Sequence, residues 1–465
     1  MPSLFSSLLA DWTGGQWFRT PVRPMMGFVT DTRMLRPGQV FVALKTAKRD
    51  GHDFLASAQL AGASGSIVGH IDTKLVVPQL IVRDPLEALQ TIARKMRESF
   101  PGPVVGVTGS AGKTSTKDLL AVLLGGHYPV LSTEGNLNNH IGVPLTLTRL
   151  DPPMHQFAVI EAGISGPGEM DVLAGMIQPN IAVITLIGAA HLQKLGGVEG
   201  VAREKSRLPA ALRPDGLLVT HDSIDNFQVI RDLPVRRLIA RASDPLSAAG
   251  VAADTVRYAV VHGVETTEIT LAFRATTPRT YTMRRVSDGM AQNAVLAMAA
   301  ALEIGVIPNV LQLRLSTWVP TTMRAEIRRE GGRLLYLDCY NANPDSMCDA
   351  LASFLNQVPE EMPRLYVFGG MEDLGVLSAE YHRQVGQKIR LRPQDHAFMI
   401  GENAGAMCAG AIEVNNEPDL ISVVGSLEPI AERIAGFQGA VFMKGSRRWE
   451  LEKALVPVGV KSTPC

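Results

Sequence analysis

The sequence predicts a mixed α/β protein, because apolar strands alternate with helical segments along most of its 465 residues. Near-continuous apolar segments such as VVGVTG (104–109) and IAVITLI (181–187) are typical of parallel strands that are covered on both faces. The chain is too long for one ordinary domain. We therefore expect three domains, at residues 1–102, 103–318 and 319–465.

The first region mixes short strands and helices, which predicts a small α/β domain. The strands are QVFVAL (39–44) and SIVGH (66–70), and helical periodicity is seen in DFLASAQLAGA (53–63) and PLEALQTIARKMRESF (85–100). The cluster Pro101-Gly102-Pro103 ends the second helix and marks a domain boundary.

The central region predicts a mostly parallel sheet of the mononucleotide-binding type. Its apolar strands lie at 104–109, 157–162, 181–187 and 216–221. Between 250 and 285 the strands are shorter and alternate in polarity, which suggests an antiparallel part of the sheet. The segment 288–305 predicts a helix rich in Ala, Leu and Met that ends at Gly305.

The segment WVPTT (318–322) predicts a linker, and a third alternation of strands and helices follows it. The order of these elements favours a Rossmann-like, doubly wound sheet. Its predicted strands lie at 333–338, 364–369, 396–400 and 440–444.

Composition excludes several classes of protein. Lys+Arg and Asp+Glu balance at 45 each, so no overall basic excess indicates a nucleic-acid partner. No apolar stretch reaches the roughly 18 residues of a membrane span, and the start lacks the pattern of a secretory signal. The cysteines show no metal-binding spacing, which favours reduced thiols in a cytoplasmic protein; they are Cys339, Cys348, Cys408 and Cys465.

The stretch 104-VVGVTGSAGKTSTKDLL-120 predicts a phosphate-binding loop between a strand and a helix, although Val107 replaces the first glycine of the usual pattern. Gly109 and Gly112 permit the tight turn, and the following helix N-terminus directs amide N–H groups at anionic oxygens. Lys113 supplies a cation for the β- and γ-phosphates, and Thr114 can place its hydroxyl on Mg²⁺. The alternative is a glycine-rich structural turn.

From this loop onward the chain resembles the Mur ligases, ATP-dependent amide-forming enzymes of peptidoglycan precursor synthesis. The resemblance continues through collinear motifs in nearly the whole chain, and YNANPDSM stands where relatives that add diaminopimelate or lysine carry Asp-Asn-Pro-Arg. It implies addition of D-alanyl-D-alanine to UDP-N-acetylmuramoyl-tripeptide through an acyl phosphate. The motifs are TDTR (30–33), PGQVFVALK (37–45), DGHDF (50–54), TEGNLNNHIGVPLTL (133–147), AHLQKLGGVEGVAREKSRL (190–208), LDCYNANPDSM (337–347), GGMEDLG (369–375) and KGSRRWELE (444–452).

The resemblance also implies roles for individual residues. The catalytic residues would be Lys113, Glu161, His191 and Lys205, and Mg²⁺ would be held by Thr114, Glu161, His191 and a carbamylated Lys205. ATP would contact Thr108, Gly109, Ser110, Ala111, Gly112, Lys113, Thr114, Ser115, Asn293, Arg324, Asp338 and Asn341. The UDP-sugar would contact Thr30, Asp31, Arg33 and Lys45; Asn136, Asn138 and Asn139 would line the acyl-phosphate region; and Tyr340, Asn343, Lys444 and Arg447 would meet the dipeptide.

Other interpretations of these residues stay open. Taken singly, Glu161 fits a solvated strand end, His191 a structural histidine, and Lys205 a solvated helical lysine. Gly289-Met290 stands where the family usually has His-Asn near the adenosine, and Leu186 stands where it usually has Asn.

These departures leave two alternatives open, a divergent ligase that joins another carboxylate and amine, and a catalytically weak nucleotide-binding relative. For the leading interpretation we expect a monomer whose partners are small molecules, with domain closure on binding.

Overall fold

The computed structural model describes residues 3–126, 129–243, 252–274 and 276–455, and it confirms the mixed α/β class. Cys465 and the end of the predicted third domain, 456–465, lie outside the described residues. Strands in the described part of the chain assemble mainly into three sheets, which follow one another along the sequence. None of the described helices combines the length and apolar character that a membrane crossing requires.

The first sheet is small and has helices packed against it. Its strands follow the spatial order β2-β7-β6-β5-β4, with β2 antiparallel to β7 and the other pairs parallel, while β1 pairs with β3. The strands are β1 Ser3–Leu4, β2 Gln16–Phe18, β3 Met25–Met26, β4 Phe28–Val29, β5 Val40–Val42, β6 Gly65–Val68 and β7 Gln79–Ile81. The helices are α1 Ser6–Thr13, α2 Leu55–Leu60 and α3 Pro85–Ser99.

The predicted elements of this region occur with shifted ends. The predicted helix at 53–63 begins instead as a 3₁₀ turn at Gly51–Phe54 and continues as the shorter α2. Helix α3 agrees closely with its prediction, because the Asp84 side chain caps the Leu86 and Glu87 amides and Pro85 fits the first turn.

The central sheet has the spatial order β16-β15-β14-β13-β12-β11-β8-β10-β9, with pairs from β9 through β14 parallel and the β14-β15-β16 end antiparallel. The predicted antiparallel part is therefore confirmed. The strands are β8 Val104–Thr108, β9 Val130–Ser132, β10 Phe157–Glu161, β11 Ile181–Ile184, β12 Leu217–His221, β13 Arg236–Ala242, β14 Thr255–His262, β15 Thr266–Phe273 and β16 Arg279–Arg284.

Helices cover both faces of this sheet. One long helix, α11, is buried from Ala294 to Ala301, and its alanines allow close packing against α4. The sequence did not predict β13 or α12, because RRLIARA is interrupted by arginines and α12 is only weakly amphipathic. The helices are α4 Lys113–Leu124, α5 Gly142–Leu147, α6 Glu169–Ile177, α7 Leu192–Leu195, α8 Val198–Lys205, α9 Arg207–Ala210, α10 Gln228–Arg231, α11 Asp288–Ile304 and α12 Pro308–Thr317.

The third sheet has the order β17-β18-β22-β19-β20-β21, parallel except at β17. The structure confirms all four predicted strands residue for residue. The edge strands β17 and β21 escaped prediction because they are short and partly exposed. The strands are β17 Glu326–Glu330, β18 Arg333–Asp338, β19 Arg364–Gly369, β20 His396–Ile400, β21 Ile421–Val424 and β22 Ala440–Lys444, and the helices are α13 Pro344–Leu355, α14 Ser378–Gly386, α15 Ala404–Ile412 and α16 Glu428–Ala435.

The Arg97 side chain joins the first sheet region to the central one. It is fully buried on α3, and its guanidinium donates hydrogen bonds to the carbonyl oxygens of Ile177 and Gln178 and to Asn180 Oδ1 at 2.8–2.9 Å. Burial, with a contribution from Arg213, lowers the pKa of Arg97 to about 9. The hydrogen bonds of the Arg97 guanidinium therefore go to neutral oxygen acceptors instead of a carboxylate.

We expect Arg97→Met to destabilise the protein by about 2–4 kcal/mol, because several buried acceptors lose their donor. Thermal unfolding would measure this, with Arg94→Met as the control on the exposed face of the same helix. Equal melting temperatures for the two variants would contradict the assigned role of Arg97.

Candidate active site

A cavity of about 440 Å³ lies between the loop after β8, the N-terminal end of α11 and the carboxyl ends of β18 and β22. Parallel strands place their carboxyl ends at one edge of a sheet, so both larger sheets contribute residues to the same space. The cavity brings together fifteen of the predicted site residues: Ser110, Ala111, Gly112, Lys113, Thr114, Ser115, Asn138, Glu161, Asn293, Arg324, Asp338, Tyr340, Asn341, Asn343 and Lys444.

The predicted phosphate loop forms one wall of the cavity and is closely fitted to its surroundings. Gly112 has φ +77°, and a Cβ atom built on it would lie 2.3 Å from Asn293 Nδ2. A Cβ atom on Gly109 would lie 1.9 Å from the Thr185 hydroxyl oxygen. Both positions therefore require glycine, which accounts for the spacing of the motif.

Lys113 is the first residue of α4, and its Nζ donates to the Gly109 carbonyl oxygen at 2.9 Å. Burial lowers the pKa of Lys113, Glu161 raises it and Arg324 lowers it further. The predicted contact residue Thr108 lies beneath the loop, where its hydroxyl donates to the Ala162 carbonyl oxygen at 2.9 Å. Thr108 therefore supports the loop from the core.

Glu161 is buried at the end of β10, with 1% of its surface exposed. Its Oε1 accepts a hydrogen bond from Asn138 Nδ2 at 2.7 Å, while its Oε2 is buried without a hydrogen-bond partner among the described residues. A buried carboxylate oxygen without a partner is costly unless a cation binds there. Together with the nearby Thr114 hydroxyl, this oxygen fits a hard divalent cation such as Mg²⁺.

Within the described ranges, no three His, Cys, Asp or Glu side chains are grouped so as to hold a metal ion by themselves. Any Mg²⁺ at Glu161 would therefore take its remaining oxygen ligands from hydroxyl groups, phosphates or water, as Mg²⁺ commonly does.

Lys205 and His191 lie beside the cavity. Lys205 ends α8 and is 2% exposed, and burial together with the charge of Lys113 holds its pKa well below the usual range. The backbone of His191 is left-handed (φ +54°), and its Nδ1 lies 3.1 Å from Asp373 Oδ2. Burial lowers the pKa of His191, Asp373 raises it, and Lys113 and Lys205 lower it. Glu161, His191 and Lys205 therefore each lie close enough to Lys113 to interact with its charge.

At the edge of the C-terminal sheet, Lys444 joins Asp338 and Asn341 through polar contacts. Lys444 Nζ lies 2.8 Å from Asp338 Oδ2 and donates to the Asn341 carbonyl oxygen at 3.0 Å, although the lysine is only 2% exposed. The Arg324 guanidinium stacks over the Tyr340 ring at 4.2 Å. The ammonium group of Lys444 is therefore already paired with the Asp338 carboxylate.

Asn343 joins the two halves of the cavity. Its side chain accepts from Ser346 N as the N-cap of α13, and its Nδ2 donates to the Ser110 carbonyl oxygen at 3.3 Å. This hydrogen bond ties the C-terminal region directly to the phosphate loop.

The remaining predicted residues do not line the cavity. Asn136 and Asn139 are exposed, and Asn139 Oδ1 accepts from the amides of Ile141 and Gly142. Arg447 is engaged by Glu452 at 2.6 Å. In the first sheet region Arg33 pairs with Asp31 and Lys45 lies 3.5 Å from Asp50, and none of Thr30, Asp31, Arg33 and Lys45 lines the cavity.

The structure adds cavity residues that the sequence did not indicate. Asp349 Oδ1 accepts from Gly289 N at 2.9 Å, and a Cβ atom on Gly289 would lie 2.7 Å from Asp349 Oδ2. Asp349 therefore takes the space that a larger side chain at position 289 would need. No local signal could have revealed this, since the pair joins α11 to α13 across 60 positions.

Comparison with known proteins shows which family the chain resembles. Sequence profiles of the Mur ligase middle domain and of the Mur ligase, glutamate ligase domain match residues 107–301 and 323–447. The chain is 32% identical over 440 residues to the UDP-N-acetylmuramoyl-tripeptide–D-alanyl-D-alanine ligase of Bacillus subtilis, and 32% identical over 430 residues to that of Escherichia coli, with 92% of each chain covered in both cases.

Among solved structures, a crystal structure of MurF from Acinetobacter baumannii superposes with a TM-score of 0.86 at 27% identity and covers 98% of both chains. The chain belongs to the Mur ligase family. Its similarity extends over nearly the full length of the D-alanyl-D-alanine-adding ligases named above. The predictions of family and fold class are therefore confirmed.

We expect Gly112→Ala to destabilise the protein by about 1–2 kcal/mol from the left-handed backbone alone, with displacement of Asn293 adding to this. Thermal unfolding measures the change. Gly175→Ala on α6 is the matched control, because its Cβ would meet nothing within 4 Å and the helix gains from alanine. A Gly112→Ala protein as stable as wild type would show that the loop can relax.

Proposed function

We propose that this protein is an ATP-dependent ligase that joins D-alanyl-D-alanine to UDP-N-acetylmuramoyl-tripeptide, forming an amide bond, ADP and phosphate. The main observation behind the proposal is that Glu161 Oε2, beside the phosphate loop, is buried without a hydrogen-bond partner among the described residues. It lies in a cavity that the C-terminal region covers. The relatives bearing that ligase name support the choice of substrates. We also propose that the reaction takes place in the cytoplasm, on a monomer divided at 102 and 318.

The chemistry follows from charge neutralisation and positioning. The tripeptide carboxylate attacks the γ-phosphate of ATP, which breaks the bond to ADP and forms an acyl phosphate. The dipeptide amine then attacks the acyl carbon, and phosphate leaves from a tetrahedral intermediate. Lys113 neutralises charge on the phosphates, and the loop amides orient them. Ser110, Ala111, Gly112 and Ser115 would complete this cradle.

The remaining cavity residues would hold the nucleotide from its other side. Asn293 packs against the loop, and Arg324 and Asp338 lie on the C-terminal side of the same cavity. Asn341 and Tyr340 line it as well. Binding across both regions explains why closure of the C-terminal domain would accompany ATP binding.

Mg²⁺ would be held by Thr114 and Glu161, and a second ion by His191 and Lys205. When bound, Mg²⁺ would supply positive charge to the phosphates. Asn138 fixes the orientation of the Glu161 carboxylate through its hydrogen bond. Lys205 would serve as a carbamate, since CO₂ addition converts a buried cation into an anion that suits a metal site.

The first sheet region would bind the UDP-sugar through Thr30, Asp31, Arg33 and Lys45. In the present structure Arg33 and Lys45 are paired with Asp31 and Asp50, and both cations are mostly exposed. Their charges are therefore accessible to a diphosphate. Asn136 and Asn139 would line the acyl-phosphate region, and Asn343 would meet the dipeptide. Lys444 and Arg447 would meet the dipeptide carboxylate by exchanging their present partners, Asp338 and Glu452, for it.

The first experiment is phosphate release with Mg²⁺-ATP, UDP-N-acetylmuramoyl-tripeptide and D-alanyl-D-alanine, each omitted in turn. We expect release to require all three, with a product of pentapeptide mass. Lys113→Ala should reduce the rate by about 100-fold or more, because the charge that faces the phosphates is lost. Release without dipeptide, or a product of another mass, would contradict the proposed substrates.

Lys205→Ala should abolish turnover, and added bicarbonate should not restore it, whereas Lys453→Ala on the exposed surface should retain wild-type rates. With ¹³C-bicarbonate, NMR of the wild type should show a carbamate resonance that the Lys205→Ala protein lacks. Full activity of Lys205→Ala would eliminate the metal-binding role.

A further inference from the structure

Carboxylates line the cavity at several places, and among the described residues Asp345 is without a partner at either oxygen, whereas Glu161 lacks one only at Oε2. Glu161, Asp288, Asp338 and Asp349 each have a recorded partner, respectively Asn138, His262, Lys444 and Gly289 N, at 2.7–2.9 Å. For Asp345 no hydrogen bond or ion pair is recorded in the described part of the chain. An acidic side chain that faces a cavity without a partner is available to a ligand.

Asp345 lies close to the phosphate loop. A Cβ atom built on Gly188 would be 2.3 Å from Asp345 Oδ2, so the carboxylate packs directly against the Gly188 backbone. The Gly188 amide in turn donates to Ser110 Oγ at 3.0 Å. The neighbouring Asn343 contacts the Ser110 carbonyl oxygen at 3.3 Å, which fixes the start of α13 against the loop.

Asp345 is an exposed residue that lines the cavity, and no side chain in the described part of the chain pairs with its charge. Burial raises the pKa of this carboxyl group, and no neighbouring cation opposes the effect. Its place in the first turn of α13 favours the helix through the helix dipole. Glu428 has the same place in the first turn of α16 and is likewise exposed, but it does not line the cavity, so it offers a matched comparison.

We propose that Asp345 binds the ammonium group of the incoming amine substrate, an inference that rests on the proposed function. The reacting groups of ATP and of the tripeptide are anionic, and Asp345 would repel them. The reacting group of the dipeptide enters as a cation. A carboxylate beside the phosphate loop therefore selects and orients this group where the acyl phosphate forms, and the ammonium gives up one proton to solvent before the free amine attacks.

The test compares Asp345→Asn with wild type in steady-state kinetics. Loss of one charge-assisted hydrogen bond should raise KM for D-alanyl-D-alanine by about 10- to 100-fold, while KM for ATP and for the UDP-substrate changes by less than about 2-fold. Asp345→Glu, which keeps the charge, should recover part of the affinity. Glu428→Gln, a matched loss of charge in the first turn of α16, should behave as wild type.

A second readout separates amine binding from a structural role. Without dipeptide, hydroxylamine traps the acyl phosphate as a hydroxamate, and as a largely uncharged nucleophile it does not need Asp345. We expect Asp345→Asn to keep its hydroxamate yield within about 2-fold of wild type. Equal loss of hydroxamate and of dipeptide turnover would overturn the inference in favour of a structural role.

The outcomes for the two proposals are distinct. If wild type uses the dipeptide and Asp345→Asn has an unchanged KM for it, only the inference about Asp345 fails. If wild type forms hydroxamate but does not use the dipeptide, the proposed acceptor is wrong, and the inference fails with it.

Discussion

The convergence of strand ends from two sheets is the constraint on which the rest of the structure depends. In the central sheet, β8 lies between the parallel strands β10 and β11, so the phosphate loop, Glu161 and the segment leading to His191 leave the sheet at one edge. In the C-terminal sheet, β18 and β22 are adjacent and parallel, which places Asp338 next to Lys444. The cavity exists because these two edges face each other.

The contacts that join the domains differ in kind. The Arg97 guanidinium is fully buried and donates hydrogen bonds to several acceptors of the central region. Separating the first and central regions would break these hydrogen bonds together. The C-terminal region is joined by apolar packing, including that of α11 on α13, and by polar bonds such as those from Asn343 to Ser110 and from Thr321 to Asp118.

The predictions agree best with the structure where one physical factor, burial of a strand on both faces, determines the sequence pattern. Strands buried on both faces appear as apolar runs, so the predicted C-terminal strands are correct to the residue. The strands β13, β17 and β21 were missed because edge or charged strands depend on neighbours for their pairing. The departure at Gly289 was visible in the sequence, but its compensation by Asp349 required the packing of α11 on α13.

The sequence by itself determined the α/β class and the phosphate loop, because these depend on local spacing of glycine, lysine and apolar residues. The ligase family was also recognisable in the sequence, through collinear motifs that resemble those of its members. Only the tertiary structure decided which polar residues are already paired, as Lys444 is, and which remain available, as Glu161 Oε2 and Asp345 do. The physical reason is that hydrogen-bond partners and burial are set by contacts between distant segments, whose distances no sequence pattern records.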